Sequence, residues 1–327
     1  MITERIKNPA WYKGKEILVT GGTGSLGKTL TKILVRDCDP KGIRVYSRDE
    51  FKQWEMKKAF KNSSVPISYL IGDVRDYDRL LLAMRGVDIV IHTAAMKHIP
   101  ICEENPIEAV KTNVLGSLNV IRASIVTLPE RVMNVSTDKA VSPLNLYGMT
   151  KGCSESLFIH SNVYSACKIP RFSCCRYGNV IGSRGSIVPL FREQIKRDGT
   201  VTLTDERMTR FWISLEKVSI FLLNCITSMN GGEIFIPKMP SAKVINIVEA
   251  MAPGIEKKEI GVRLGEKVHE VLINEEEWNR CVEAPDHFII YNHRTRKQYI
   301  EDCKYDSERN PDQMSISDCK KIIEQKK

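Results

Sequence analysis

The ten cysteines include no C-x-x-C pair and no partner histidines at zinc spacing, which excludes the common structural zinc sites and dithiol redox motifs. No apolar run approaches the roughly 20 residues that a membrane-spanning helix needs. The opening stretch, MITERIKNPAWYKGK, is too polar for a secretory signal. Internal repeats and low-complexity tracts are missing as well. These absences predict a cytoplasmic chain with reduced thiols, no membrane attachment and no metal. Lys and Arg exceed Asp and Glu by nine, yet the basic residues form no stripe interleaved with aromatics, so no nucleic-acid partner is expected. Positive charge spread this way suits small polyanionic ligands.

With 42% hydrophobic and 27% charged residues over 327 positions, the chain has the composition of a folded domain with room for an added lobe. From residue 16, β-branched runs (EILVT, IRVYS, ISYLIGD, VDIVIHTAA, RVMNVS) alternate with helical periodicities such as SLGKTLTKILVRD and PIEAVKTNVLGSLNVIRASIV. Continuously apolar strands between helices predict an α/β fold, a Rossmann-type doubly wound parallel sheet. After RFSCCRYGN the alternation loosens. The expected organisation is a dinucleotide-binding domain over residues 1–178, a smaller C-terminal substrate-binding lobe over 179–291, and a charged tail over 292–327 with a terminal helix.

Between the first strand and helix stands TGGTGSLG, with Gly21, Gly24 and Gly27 at G-x-x-G-x-x-G spacing. Glycines there let the backbone turn tightly and approach a pyrophosphate, whose charge faces the helix amides. Thr23, Ser25 and Leu26 complete the loop. This wider spacing points to the short-chain dehydrogenase/reductase group. At the end of the second strand, where an NAD enzyme usually carries an acid for the ribose, stand Ser47 and Arg48, with Lys52 nearby. A hydroxyl and a guanidinium suit a 2′-phosphate, so NADP is the expected cofactor; in the alternative, Asp49 holds the ribose of NAD. Asp73, followed by Val74, is placed to accept from the adenine amino group. The small residues of HTAAMKH, Ala94 among them, let the cofactor lie close.

STDKAVSPLNLYGMTK carries the chemistry. Tyr147 and Lys151 lie one helical turn apart on one face, where the lysine charge favours the phenolate. Thr137 can hydrogen-bond the substrate oxygen that Tyr147 deprotonates. A simple oxidation has no use for Asp138 and Lys139 beside them. An elimination does: once a sugar carbon is a ketone, a base must take the neighbouring proton and an acid must protonate the departing hydroxyl. Lys139 serves as base if burial and Lys151 lower its pKa toward neutrality, and Asp138 as acid if its own is raised.

Together with YSRDEFKQ, GDVRD, AAMKHIP, RYGNVIGSRGS, MTRFWIS, GEIFIPK and RLGEKVHE, these blocks resemble the inverting UDP-N-acetylglucosamine 4,6-dehydratases, in order over about residues 14–291. The resemblance implies an NADP-containing homo-oligomer that acts on UDP-N-acetylglucosamine at the first step of pseudaminic acid synthesis. It makes Asp138, Lys139 and Tyr147 the catalytic group, with Lys151 holding the tyrosine and the nicotinamide ribose. Lys97, Asn179 and Arg263 become substrate contacts, and Val180, Ser183 and Arg184 further cofactor contacts. Of Arg207 and Arg210, one reaches the diphosphate, and Arg210 is the choice here. Three other readings stay open: a retaining dehydratase, a nucleotide-sugar 4-epimerase and an NADP-sensing binding protein.

Overall fold

β1 (Glu16–Thr20) is buried on both faces by an apolar centre: Ile17, Leu18 and Val19 are fully buried. The computed structural model describes residues 3–166, 168–183, 185–292 and 303–324. Next to β1 run β2 (Gly42–Ser47) and β3 (Ile67–Ile71) on one side, and β4 (Ile89–His92), β5 (Arg131–Val135) and β6 (Arg171–Cys175) on the other. All pair in parallel, in the order 3-2-1-4-5-6 of a doubly wound dinucleotide fold. The strand Ile234–Pro237 extends the parallel sheet beyond β6, and two antiparallel strands, His287–Ile290 and Cys281–Glu283, close that edge. Among the described residues the sheet has nine strands, so the second half of the chain contributes to it as well as to the lobe.

The covering helices start on polar caps. Asp49 caps α2 (Glu50–Ala59), after α1 (Ser25–Ile33), by accepting from the Lys52 amide, and Asp76 caps α3 (Tyr77–Met84) from the Arg79 amide. Leu30 and Ile33 bury one face of α1 against the sheet. Among the described residues, no helix is long and apolar enough to cross a membrane.

The smaller lobe is built on the three-stranded sheet of Asn179–Val180, Thr209–Ile213 and Ser241–Lys243, beside the parallel pair Thr200–Leu203 and Glu256–Glu259. Its core gathers Ile181, Val188, Trp212, Ala242 and Ile247. Despite the charge of the tail, its helix Ile316–Glu324 buries Cys319 and Ile323 in that same core. The buried Arg176 guanidinium ties sheet to lobe: it donates to Glu155 on the helix Leu146–His160 and to Glu277 and the Leu272 carbonyl.

Candidate active site

The sheet ends and the lobe enclose a cleft of about 770 Å³. One end is the glycine turn. Gly21 has φ +64°, and a methyl group there would lie 2.9 Å from the backbone of Ala94. At Gly27 a methyl would come within 2.4 Å of the Gly22 carbonyl, so its absence lets α1 pack onto the turn. Gly24 precedes α1 without a side-chain cap, and Thr23 to Leu26 line the cleft. This cradle fits a dinucleotide pyrophosphate on sterics and on helix amides alike.

At the end of β2, the Ser47 hydroxyl accepts from Gln53 Nε2 at 3.1 Å. Arg48, more than half exposed, lies 3.5 Å from Asp73 Oδ2. Both Asp49 oxygens are engaged, one by the Lys52 amide and one by the Lys52 ammonium. Asp73 accepts from the Arg75 amide and guanidinium.

The chemistry-bearing groups sit where β5 ends. Backbone bonds from Ser136 to Cys175 and from Asp138 to Tyr177 prolong the pairing with β6, and a single 3-10 turn, Asp138–Ala140, then swings the two side chains into the cleft. Asp138 is 1% exposed; its Oδ1 accepts from Thr137 Oγ1 and from Lys139 Nζ, each at 3.0 Å, while Oδ2 is buried without a partner. Lys139 Nζ also reaches Asn179 Oδ1 at 3.5 Å. Burial pushes the Asp138 carboxyl above its ordinary range, against the charge of Lys139 and with the help of Glu270.

Lys139 departs from the expectation of a lowered pKa. Burial works against its charge, but the carboxylates of Asp138 and Glu270 outweigh burial and hold the ammonium above its ordinary range. Lys151 is the depressed lysine instead: burial brings it down to about 8. Burial also pushes the Tyr147 phenol up to about 12, against its hydrogen bond with Thr137 and the charge of Lys139.

The cleft lining brings together Gly21, Thr23, Gly24, Ser25, Leu26, Ser47, Arg48, Lys52, Asp73, Val74, Ala94, Lys97, Thr137, Asp138, Lys139, Tyr147, Lys151, Asn179, Val180, Ser183 and Arg210. Gly27 acts from behind the loop. Arg263 is not among the lining residues; it stands exposed, 3.9 Å from Glu266. Arg184 lies outside the described residues. Arg210 is buried and directs its guanidinium to the carbonyls of Thr209, Val268 and Lys267, whereas Arg207 is largely exposed beside Asp205.

Two residues escaped sequence reasoning. Glu270 is 2% exposed, with Oε1 3.2 Å from Lys139 Nζ. An acid in RLGEKVHE, among so many cations, was the available signal. Asn113 sits in a π-type turn, Lys111–Leu115, and exchanges two hydrogen bonds with the backbone of Met96, at 2.8 and 2.9 Å, while reaching Thr150 Oγ1 at 3.0 Å. It thereby fixes the segment carrying Lys97 against the helix carrying Tyr147 and Lys151, and no local pattern marks it.

A profile of the polysaccharide biosynthesis protein family matches residues 17–292. An inverting UDP-N-acetylglucosamine 4,6-dehydratase of Campylobacter jejuni subsp. jejuni serotype O:23/36 (strain 81-176) is 50% identical over 280 residues, 85% of this chain and 83% of its own. A UDP-glucose 4-epimerase of Rickettsia bellii (strain RML369-C) is 40% identical over 286 residues, with 85% and 83% covered. Among solved structures, Pen from Bacillus thuringiensis superposes with a TM-score of 0.88 at 37% identity, over 97% of this chain and 99% of that one. Several more distant structures of the same fold, at 18–22% identity, hold NAD. The cradle described above fits a nicotinamide dinucleotide of that kind.

Proposed function

This chain belongs to the polysaccharide biosynthesis protein family, and we propose that within it the chain removes water from UDP-N-acetylglucosamine, giving a UDP-4-keto-6-deoxy-N-acetylhexosamine with inversion at C5. One observation carries the reading: Lys139 Nζ and Asp138 Oδ1 lie 3.0 Å apart in the same cleft as Tyr147 and Lys151. A nicotinamide dinucleotide bound in the cradle supplies reversible hydride storage. Tyr147 takes the proton of the C4 hydroxyl as the C4 hydrogen leaves as the stored hydride, and the resulting ketone makes the C5 proton acidic. Lys139 removes that proton, Asp138 protonates the departing C6 hydroxyl and water leaves; return of the stored hydride to C6 and of a proton to C5 completes the 6-deoxy product.

The raised Lys139 and Asp138 suit these tasks together. Moving one proton along their hydrogen bond converts ammonium and carboxylate into amine and carboxylic acid, the base and acid that the elimination needs. A 4-epimerase, the reading favoured by the 40% identical relative, gives no work to this sealed pair.

Arg48, Ser47 and the fully engaged Asp49 support NADP as the dinucleotide. The lobe over residues 179–291 is assigned to the nucleotide sugar, with Lys97 and Asn179 as contacts; Arg263 joins them only if its segment folds inward. Among the described residues the cysteines are free and most of them buried, which accords with a cytoplasmic setting. Exposed Ile107, Val110, Leu115 and Leu118 offer a homo-oligomer an apolar face. By its chemistry the product suits the start of pseudaminic acid-type sugar synthesis.

The test is the reaction with UDP-N-acetylglucosamine in heavy water, read by NMR. The expected product is a stable 4-keto sugar with deuterium at C5, inverted configuration there, and a methyl hydrogen derived from substrate C4. Retained configuration at C5 would make it a retaining dehydratase, a 4-hydroxyl epimer would make it an epimerase, and no turnover of any nucleotide sugar would leave a binding protein.

A further inference from the structure

Glu270 is placed with unusual care for a residue outside the Tyr147, Asp138 and Lys139 constellation. It stands between the loop carrying Lys267 and the strand Val271–Ile273, and it lines the cleft. Its backbone is gripped from both sides by Ser307: the Glu270 amide donates to Ser307 Oγ at 2.9 Å, and the Ser307 amide donates to the Glu270 carbonyl at 2.8 Å. Ser307 is itself fully buried and bonded to the Thr209 hydroxyl at 2.7 Å. A segment of the C-terminal tail thus sets the position of an acid inside the cleft.

The Glu270 side chain faces two cations. Oε1 lies 3.2 Å from Lys139 Nζ and 3.7 Å from Arg210 Nε, and Oε2 is buried without a hydrogen-bond partner. Arg210 cannot turn away, because its other donors are spent on backbone carbonyls. Lys139 therefore sits between two carboxylates, those of Asp138 and Glu270. A lone Asp138–Lys139 pair could pass its proton either way on geometry alone; the second carboxylate breaks that symmetry.

We propose that Glu270 is a positioning residue for the elimination: held by Ser307, its carboxylate anchors Lys139 Nζ beside Asp138 and decides which of the two carries the proton. The inference rests on the dehydratase reading above. In the resting site Glu270 keeps the proton on Lys139; after C5 deprotonation it stabilises the ammonium that Lys139 has become. The charged and titratable groups facing this cluster are Lys97, Asp138, Tyr147, Arg210 and Lys267. Among the described residues, Asp138 is the one carboxylate of these besides Glu270 itself, so loss of Glu270 leaves the cluster with an excess of cations. Lys139 then gives up its proton more readily and is a weaker base.

The experiment compares wild type with Glu270→Gln over a pH series, following product formation and, separately, transient reduction of the bound cofactor by UDP-N-acetylglucosamine. In Glu270→Gln, cofactor reduction should persist while dehydration at its plateau slows at least about tenfold. The rise of dehydration with pH should also move to lower pH by about one unit or more, the usual effect of removing an adjacent opposite charge. A merely structural role would lower the rate without moving the profile, and an unmoved profile overturns the proposal. If Glu270→Gln does not fold, Glu270→Asp decides: its withdrawn carboxylate should shift the profile the same way by less, and no shift overturns the proposal. A wild-type enzyme that makes no 4-keto product takes down the dehydratase reading and this inference with it. A productive wild type with an unmoved variant sinks the inference alone.

Discussion

The proposal of NADP rests at the residue scale on Arg48. Asp49, the residue that could serve an NAD ribose, is committed to capping α2 and to Lys52, and Arg48 remains largely exposed at the end of β2. Arg48→Ala should therefore weaken NADP binding by about tenfold or more and leave NAD nearly unchanged, as titration calorimetry can measure. Equal losses for both cofactors would remove Arg48 from the 2′-phosphate. Lys151 yields a prediction about pH. Burial lowers its folded pKa from 10.5 to about 8, so between those values the unfolded chain binds more protons than the native one. Stability from this group therefore rises with pH through that window, and below about 8 the buried ammonium is a cost. Relative to Lys151→Met, the wild type should gain roughly 2–3 kcal/mol between about pH 7 and about pH 10 in denaturant titrations. A difference that stays flat would mean that Lys151 is not desolvated.

Helix ends and interruptions place most of the site. The helix Leu146–His160 begins at Asn145, whose Oδ1 accepts from the Gly148 amide and whose Nδ2 donates to the Gly265 carbonyl, both at 2.8 Å. One side chain thus caps the helix carrying Tyr147 and Lys151 and pins the lobe segment that leads to Lys267 and Glu270. Asn145→Ala should lower unfolding stability by about 1 kcal/mol through the cap. It should also raise the KM for the nucleotide sugar several-fold while dinucleotide affinity holds. An unchanged KM would show that the tie to Gly265 is incidental. The element scale is also where sequence reading blurred. PIEAVKTNVLGSLNVIRASIV reads as one helical stretch, yet it divides into Pro106–Val110, a π-type turn and Gly116–Thr127. The turn aims Asn113 at the Met96 backbone, a contact with a segment distant in the chain that no local periodicity encodes.

The whole molecule joins a sheet domain to a lobe that the C-terminal tail completes. Tyr305 bonds the Met239 backbone, Asn310 donates to the Met239 carbonyl, and Ile323 packs into the lobe core with Cys319. Ile323→Asp, which buries a charge there, should cost about 3 kcal/mol or more. Because the glycine cradle lies in the other part, nucleotide-sugar affinity should fall much further than dinucleotide affinity. Parallel loss of both would mean that the two parts unfold as one unit.

What the sequence determined by itself was whatever rests on neighbours in the chain. The apolar runs of β1, β2 and β4 announce strands buried on both faces, the glycine spacing announces the cradle, and the four-residue step from Tyr147 to Lys151 puts both on one helix face. Asp138 and Lys139 are adjacent, so their pairing was legible too. The proton balance of that pair was not. It depends on Glu270, which reaches Lys139, and on Arg210 and Ser307, which hold Glu270; these come from separate segments that only the folded chain brings together. The same holds for the two arginines of TDERMTRFWI: Arg210 is buried among carbonyls and Arg207 faces solvent because of how one strand packs. Electrostatic energies depend on distance and burial, and only the tertiary structure supplies those.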